Sequence, residues 1–245
     1  MFRKISFSWV LFYFGFIFPG SAQQNLKDQL TSEKGVERWF ENTINPQYSF
    51  IINGPEYHTS FKGLKSHPFY KTAECEISFV VYNANNYRNV NILYDTYKDI
   101  LILRCILPTG FVFIELDEKY VEQFDLHNHH FKKFDTGIAA GIGTYFDVLF
   151  EAKQFSIVVK RHKIQRIDTG TKDYLEDDVY YILNAGRWQW ITGKRSFENI
   201  FKEKHHKDKL DQFLTTNRIN VRAKNEADLA RTGEFCYKLL TGKTQ

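Results

Sequence analysis

The sequence predicts an α+β fold that is mainly β: a curved antiparallel meander, half-barrel-like, with an N-terminal helix and a C-terminal tail of two or three helices. Three observations carry this expectation. Aromatic residues make up 17% of the 245 positions and stand among β-branched residues, a mixture that suits pleated, half-buried surfaces. Apolar runs of strand length recur, separated by Asn, Gly and Asp corners at intervals of about 8 to 12 residues. From Ser196 onward the apolar period lengthens to that of a helix. No alternation of strand and helix of the βαβ kind is present.

The elements follow in chain order. Residues 1–22 read as a signal peptide: Arg3 and Lys4, an apolar run from Ile5 to Phe18, then small residues at Gly20 and Ala22, with cleavage before Gln23. The run is shorter than the roughly 20 residues of a membrane span. No cysteine follows the small residues to take a lipid, and no later stretch suits a membrane-crossing helix. Residues 23–45 read as a helix, with Leu26, Leu30, Val36, Trp39 and Phe40 near helical spacing and Gly35 as its weak point.

Residues 46–192 form the expected sheet. In "YSFIINGPEYH", "ISFVVYNANNYRNVNILY" and "YYILNAGRWQWI" an apolar run reaches Asn, turns, and resumes toward an aromatic residue. The corners are Asn53-Gly54, Asn83 to Asn86, and Asn184-Ala185-Gly186; Asn and Gly tolerate the positive φ that tight hairpins need. "DILILRCIL", "GFVFIEL", "YFDVLFE" and "FSIVVKRHKI" supply further strands. Some are apolar on both faces, so part of the sheet is expected to be covered or strongly curved.

Residues 193–245 form the helical tail, packed on the sheet. Ser196 caps a short helix carrying Phe197, Ile200 and Phe201. A second helix carries Leu210, Phe213 and Leu214. A third starts at Asn225, has Glu226 and Asp228 in its first turn, and buries Leu229, Cys236, Leu239 and Leu240 before Gly242. Gly233 weakens it.

Charge is unevenly spread. Without residues 1–22, 31 Lys/Arg against 29 Asp/Glu leave +2. The tail holds 12 against 7, so it is +5 and the remainder is −3. The basic tail reads first as a solvated helical face; as a binding surface it suits acidic lipid or polysaccharide, and nucleic acid least of all in an exported chain. Three cysteines, Cys75, Cys105 and Cys236, preclude a fully paired framework and read as small buried hydrophobes, though a bridge between Cys75 and Cys105 is open.

Four groups of residues offer chemistry. Asp168-Thr169-Gly170-Thr171 spells the loop of an aspartic protease, but its preceding strand is polar and no second such loop exists, so it reads as a turn. Asp95 and Asp99 are spaced for a glycosidase-type carboxylate pair, yet they also open and close a turn between strands. Asp125, His127 and His129, if extended, lie on one face as zinc ligands, but a further donor is needed from elsewhere and nothing nominates it, so the stretch reads as a polar loop between strands. Tyr82, Tyr87, Tyr94, Trp188 and Trp190, with Tyr97, offer rings for a hydrophobic or glycan ligand, or for the core. "GIAAGIG" (137–143) lacks the Lys-Ser/Thr of a phosphate loop. "KRHK" (160–163) alternates between two strand faces, and His205-His206 opens a basic helix. No cofactor is called for.

"FVVYNANNYRNVNILYDTYKDILIL", "GTYFDVLFEAKQFSIVVKRHKI" and "YYILNAGRWQWITGKRSFENIFKEKHHKDKLDQFLTTNRI" together resemble a family of uncharacterised exported proteins of Gram-negative bacteria, over about residues 45–240. The resemblance implies that Asp95 and Asp99 are hairpin architecture and that Asp168 belongs to a variable acidic loop. It implies no activity. "HNHH" and "GIAAGIG" depart from the family's pattern. The expected function is that of an exported envelope protein, non-enzymatic, in the periplasm, on the outer membrane or secreted. Its expected partner is an envelope protein, a lipid or a glycan. A carboxylate hydrolase and a metal-binding protein are the alternatives.

Overall fold

The computed structural model describes residues 50–58, 65–107, 110–134, 143–168 and 171–242, which belong to one unit of the chain, Phe50–Gln245. The expected signal peptide, the helix over 23–45 and most of "GIAAGIG" lie outside the described residues.

Twelve strands are present among the described residues, and every pairing is antiparallel. β1 (Glu76–Tyr82), β2 (Asn85–Asp95), β3 (Ile100–Leu107) and β4 (Gly110–Glu115) run as a meander to one edge of a ten-stranded open sheet. β5 (Val121–Leu126) then returns to pair with β1. From there β6 (His129–Lys133), β7 (Tyr145–Ala152) and β8 (Phe155–Lys160) build the other side. β9 (Lys163–Asp168) and β10 (Thr171–Glu176) leave as a separate two-stranded ribbon, and β11 (Val179–Asn184) rejoins at β8, followed by β12 (Arg187–Trp190) at the edge.

Left-handed residues make the corners. Asn83 and Ala84 join β1 to β2 at φ 49° and 60°. Ala185 and Gly186 join β11 to β12 at φ 48° and 79°. Positive φ at both central positions gives the turn whose twist matches that of the strands it joins. Asn53-Gly54, expected to be a third hairpin, is not one. Glu56 instead bridges to Ile114, and Glu115 N–H donates to the Pro55 carbonyl at 2.9 Å, so the segment lies along β4. A Cβ on Gly54 would fall 1.7 Å from the Glu115 carbonyl oxygen; only glycine permits that approach.

The sheet curls. β2 and β7 are four strands apart in the order, about 19 Å on a flat sheet at roughly 4.8 Å per strand. Yet the rings of Tyr94 and Tyr145 lie 6.1 Å apart, with Phe124 and Phe131 stacked at 4.8 Å beside them. Register shifts at Ser78/Phe79, Val81/Tyr82 and Val148/Phe150 add the local twist that such curvature needs. The short link from β4 to β5 crosses the ends of three strands, which the curl brings within its reach.

Three helices and one 3-10 turn follow: α1 (Lys194–Glu198), α2 (Lys204–Thr216), the turn Val221–Ala223, and α3 (Glu226–Thr241). Their apolar faces, including Phe197, Leu210, Leu214, Leu229, Cys236 and Leu239, share one buried cluster with Phe155, Ile157 and Val159 of β8 and with Tyr180 and Ile182 of β11. Each such side chain contributes about 1.5–3 kcal/mol on burial. The expected Asn225 cap is present: its side chain accepts from Asp228 N–H at 3.0 Å, and Gly242 closes α3 at φ 66°. Ser196 does not cap α1 from its N-cap position. It sits inside the helix, and its hydroxyl accepts from Thr192 N–H at 3.0 Å. Gly233 has a packing reason: a Cβ there would lie 2.4 Å from Ile157 Cγ1, so glycine lets α3 approach β8.

Candidate functional site

The concave interior is occupied by the protein itself. Tyr94, Phe124, Phe131 and Tyr145 are all at most 1% exposed. Of the rings expected to stack on a ligand, Tyr82, Tyr87 and Tyr94 are buried, Trp188 is half-buried against Phe146 and Tyr181, and only Trp190 and Tyr97 are largely open.

Beneath the curl lies a polar hub built from "KRHK", which sequence reasoning did not anticipate. The β8 strand carries these residues to where the two sides of the sheet converge. Lys160 Nζ donates to Asp99 Oδ1 at 2.5 Å, to the Tyr145 carbonyl at 3.1 Å and to Tyr94 Oη at 3.3 Å. The Tyr94 hydroxyl donates to the same Asp99 oxygen at 2.5 Å, and Thr144 N–H takes the other at 2.6 Å. Burial pushes the Lys160 pKa down, and Asp99 opposes that shift. Arg161 binds Asp147, Asp178 at 2.7 Å and Glu226 at 2.6 Å, which ties β7 to the start of α3. Burial works against its charge, but Asp147, Tyr70 and Asp178 together outweigh it and raise the guanidinium pKa. Lys163 Nζ donates to the Phe69 and His67 carbonyls at 2.7 and 3.0 Å. Every cation of the run is thus internal and satisfied. Its signal in the sequence was its position at the end of the apolar run "FSIVV".

The proposed carboxylates fall into turns. Asp95 accepts N–H bonds from Tyr97 and Lys98 at 2.9 Å and the Tyr57 hydroxyl at 2.8 Å, an Asx turn closing β2. Burial raises its pKa, and those three donors oppose the rise. Asp99 serves Lys160 and Tyr94 instead of facing Asp95 as a free acid. Asp168 pairs in register with Thr171 at the tip of the β9–β10 ribbon, so 169 and 170 connect the two strands; those two residues lie outside the described residues.

Asp125, His127 and His129 do not share a face. β5 ends at Leu126, and His127 and Asn128 are the left-handed pair that turns the chain into β6, which breaks the alternation. Each of the three takes a different partner: Asp125 with His130 at 2.7 Å, His127 with Glu76 at 2.6 Å, His129 with Asp147 at 2.7 Å. All three cysteines are free, with Cys105 and Cys236 buried and Cys75 half-buried. Burial raises their thiol pKa values, that of Cys105 to about 11.

Among the described residues, a groove of about 910 Å³ opens between the β12–α1 link, the C-terminal half of α2 and the segment over 218–222. Leu214, Ile219 and Val221 line it with apolar surface, and Lys194, Arg195, Arg218 and Arg222 supply its charge. Its one acid, Asp211, is taken by Lys194 at 2.7 Å. Among the described residues, the side chains of Arg195, Arg218 and Arg222 have no hydrogen-bond or ion-pair partner. Arg195 lies over 20 residues before Arg218; only the fold-back of α2 puts them on one groove, so no local motif announced it.

No relative stands behind this geometry. The chain matches no protein-family model, no curated protein and no solved structure. The groove therefore has to be read from its chemistry. A guanidinium is planar, always charged and able to bind a carboxylate or phosphate with two parallel hydrogen bonds. Three of them without counter-ions have the chemistry to receive an anion.

Proposed function

We propose that the chain is an exported, non-enzymatic binding protein of the Gram-negative cell envelope that holds a phosphate-bearing envelope molecule in the Arg195/Arg218/Arg222 groove. The three unpartnered guanidiniums carry this reading. The apolar start of the sequence and the family resemblance support export. The filled concave face argues against a ligand inside the curl. No helix among the described residues is long and apolar enough to cross a membrane.

The test is binding to vesicles of phosphatidylglycerol and of phosphatidylcholine, with glycerol phosphate as a soluble competitor. Retention on the anionic vesicles alone, weakening as salt rises, identifies a lipid headgroup. Binding of glycerol phosphate without vesicle retention identifies a soluble phosphorylated ligand. R195S/R218S/R222S is expected to bind at least tenfold more weakly in either case. Equal binding by that variant and the parent overturns the proposal.

A further inference from the structure

Metal-ligating side chains gather twice among the described residues. The first gathering, His129, Asp147 and Glu226, already holds a cation: the Arg161 guanidinium binds both carboxylates. The second, Glu203, His205 and His206 at the start of α2, has no cation among its ligand atoms.

The second gathering has ligand atoms at spacings a small ion can bridge. His205 Nδ1 lies 3.2 Å from Glu203 Oε2, and His206 Nδ1 lies 3.7 Å from the same oxygen. The two imidazole rings stand 4.0 Å apart. A tetrahedral ion with bonds of about 2.0–2.1 Å sets its ligand atoms roughly 3.3–3.4 Å apart. The two measured separations bracket that edge, and all three ligand atoms lie within 4.8 Å of one another. Glu203 is the N-cap residue of α2, yet its side chain makes no capping hydrogen bond, so the carboxylate is not committed to the helix.

We infer that Glu203, His205 and His206 bind a divalent ion of the zinc class through one carboxylate oxygen and two imidazole nitrogens. Three protein ligands leave a coordination position for water or for a donor from a bound molecule. Nitrogen and mixed donors select zinc and copper over magnesium and calcium, with copper bound more tightly by the same set. Lys202, Lys204 and Lys207 flank the site and hold its affinity down through like-charge repulsion. The ligands span the N-cap and the first turn of α2, where the positive end of the helix dipole also works against a bound cation. This site is at the opposite end of α2 from the groove and does not depend on the groove's function.

The experiment is calorimetric titration of untagged, metal-free protein with Zn²⁺, and separately with Ca²⁺, at pH 7.5. One saturable zinc site is expected, weakened at least tenfold in H205N/H206N and unchanged in H127N, whose histidine pairs elsewhere. Thermal unfolding gives a second reading: Zn²⁺ is expected to raise the midpoint of the parent and not that of H205N/H206N. The affected side chains are surface groups, and circular dichroism confirms that the variant is folded. Equal zinc binding by H205N/H206N and the parent, no saturation below millimolar zinc, or Ca²⁺ binding as tight as zinc overturns the inference.

Discussion

Replacing Asp99 with Asn separates the effect of one buried charge from that of a pair. In the parent, Lys160 is 4% exposed, and among the described residues Asp99 is its only anionic partner within hydrogen-bond distance. D99N leaves the ammonium among neutral acceptors, the Tyr145 carbonyl and the Tyr94 hydroxyl. Breaking a buried pair from one side costs about 3–5 kcal/mol. The Asp99 side chain is 19% exposed, so water screens part of the loss, and about 3 kcal/mol is expected. K160M leaves a carboxylate that still accepts from Tyr94 and Thr144, and about 2 kcal/mol is expected. K160M/D99N removes both charges and should lose no more than the worse single variant, a coupling of roughly 2 kcal/mol or more. Burial already lowers the Lys160 pKa, and losing Asp99 lowers it further. Between the folded value and the free value of about 10.4 the unfolded chain holds more protons, so stability rises with pH there. D99N should therefore recover part of its loss between pH 7 and pH 9.5. Urea unfolding at both pH values reads all of this. Single losses under about 0.5 kcal/mol that simply add would refute the burial and pairing argued for this hub.

Further variants probe the frame. D95N keeps an oxygen for the Tyr97 and Lys98 N–H groups and removes a charge whose pKa is raised by burial. The native state of the parent binds more protons than the unfolded chain between about 3.9 and the raised folded value, so this group's stability contribution falls as pH rises through that window. The stability difference between D95N and the parent should accordingly shift in the variant's favour from pH 3.5 toward neutrality; a flat difference across chemical denaturation curves would contradict it. G233A would gain about 1 kcal/mol in an exposed helix, but here its Cβ meets Ile157, and a net loss of about 1 kcal/mol is expected in thermal unfolding. N225A removes the acceptor for Asp228 N–H and should cost about 1 kcal/mol; no change would show that the cap does not hold α3.

Local chemistry was readable in the sequence, and long-range juxtaposition was not. The Asn83 and Ala185-Gly186 corners, the Asn225 cap and the Gly242 stop rest on backbone preferences within a few residues, and each is present. Asn53-Gly54 misled because Gly54 answers a close approach to Glu115 on β4, a contact no local pattern encodes. The polar loop expected around Asp125 to His129 is a turn at His127 and Asn128, which also breaks the alternation that a shared ligand face would need. The return of β5 to β1 depends on the curl of the whole sheet, and the same curl converts "KRHK" from two strand faces into an internal hub. The groove follows from the fold-back of α2, which brings Arg195 beside Arg218 and Arg222.

Hydrogen exchange with and without the retained phosphate-bearing probe tests the proposed function most directly. The account expects added protection over 192–195 and 211–222, with β5, β6 and β7 unchanged because their concave face is already filled by Phe124, Phe131 and Tyr145. Protection centred on those three strands, with the groove unaffected, would contradict it.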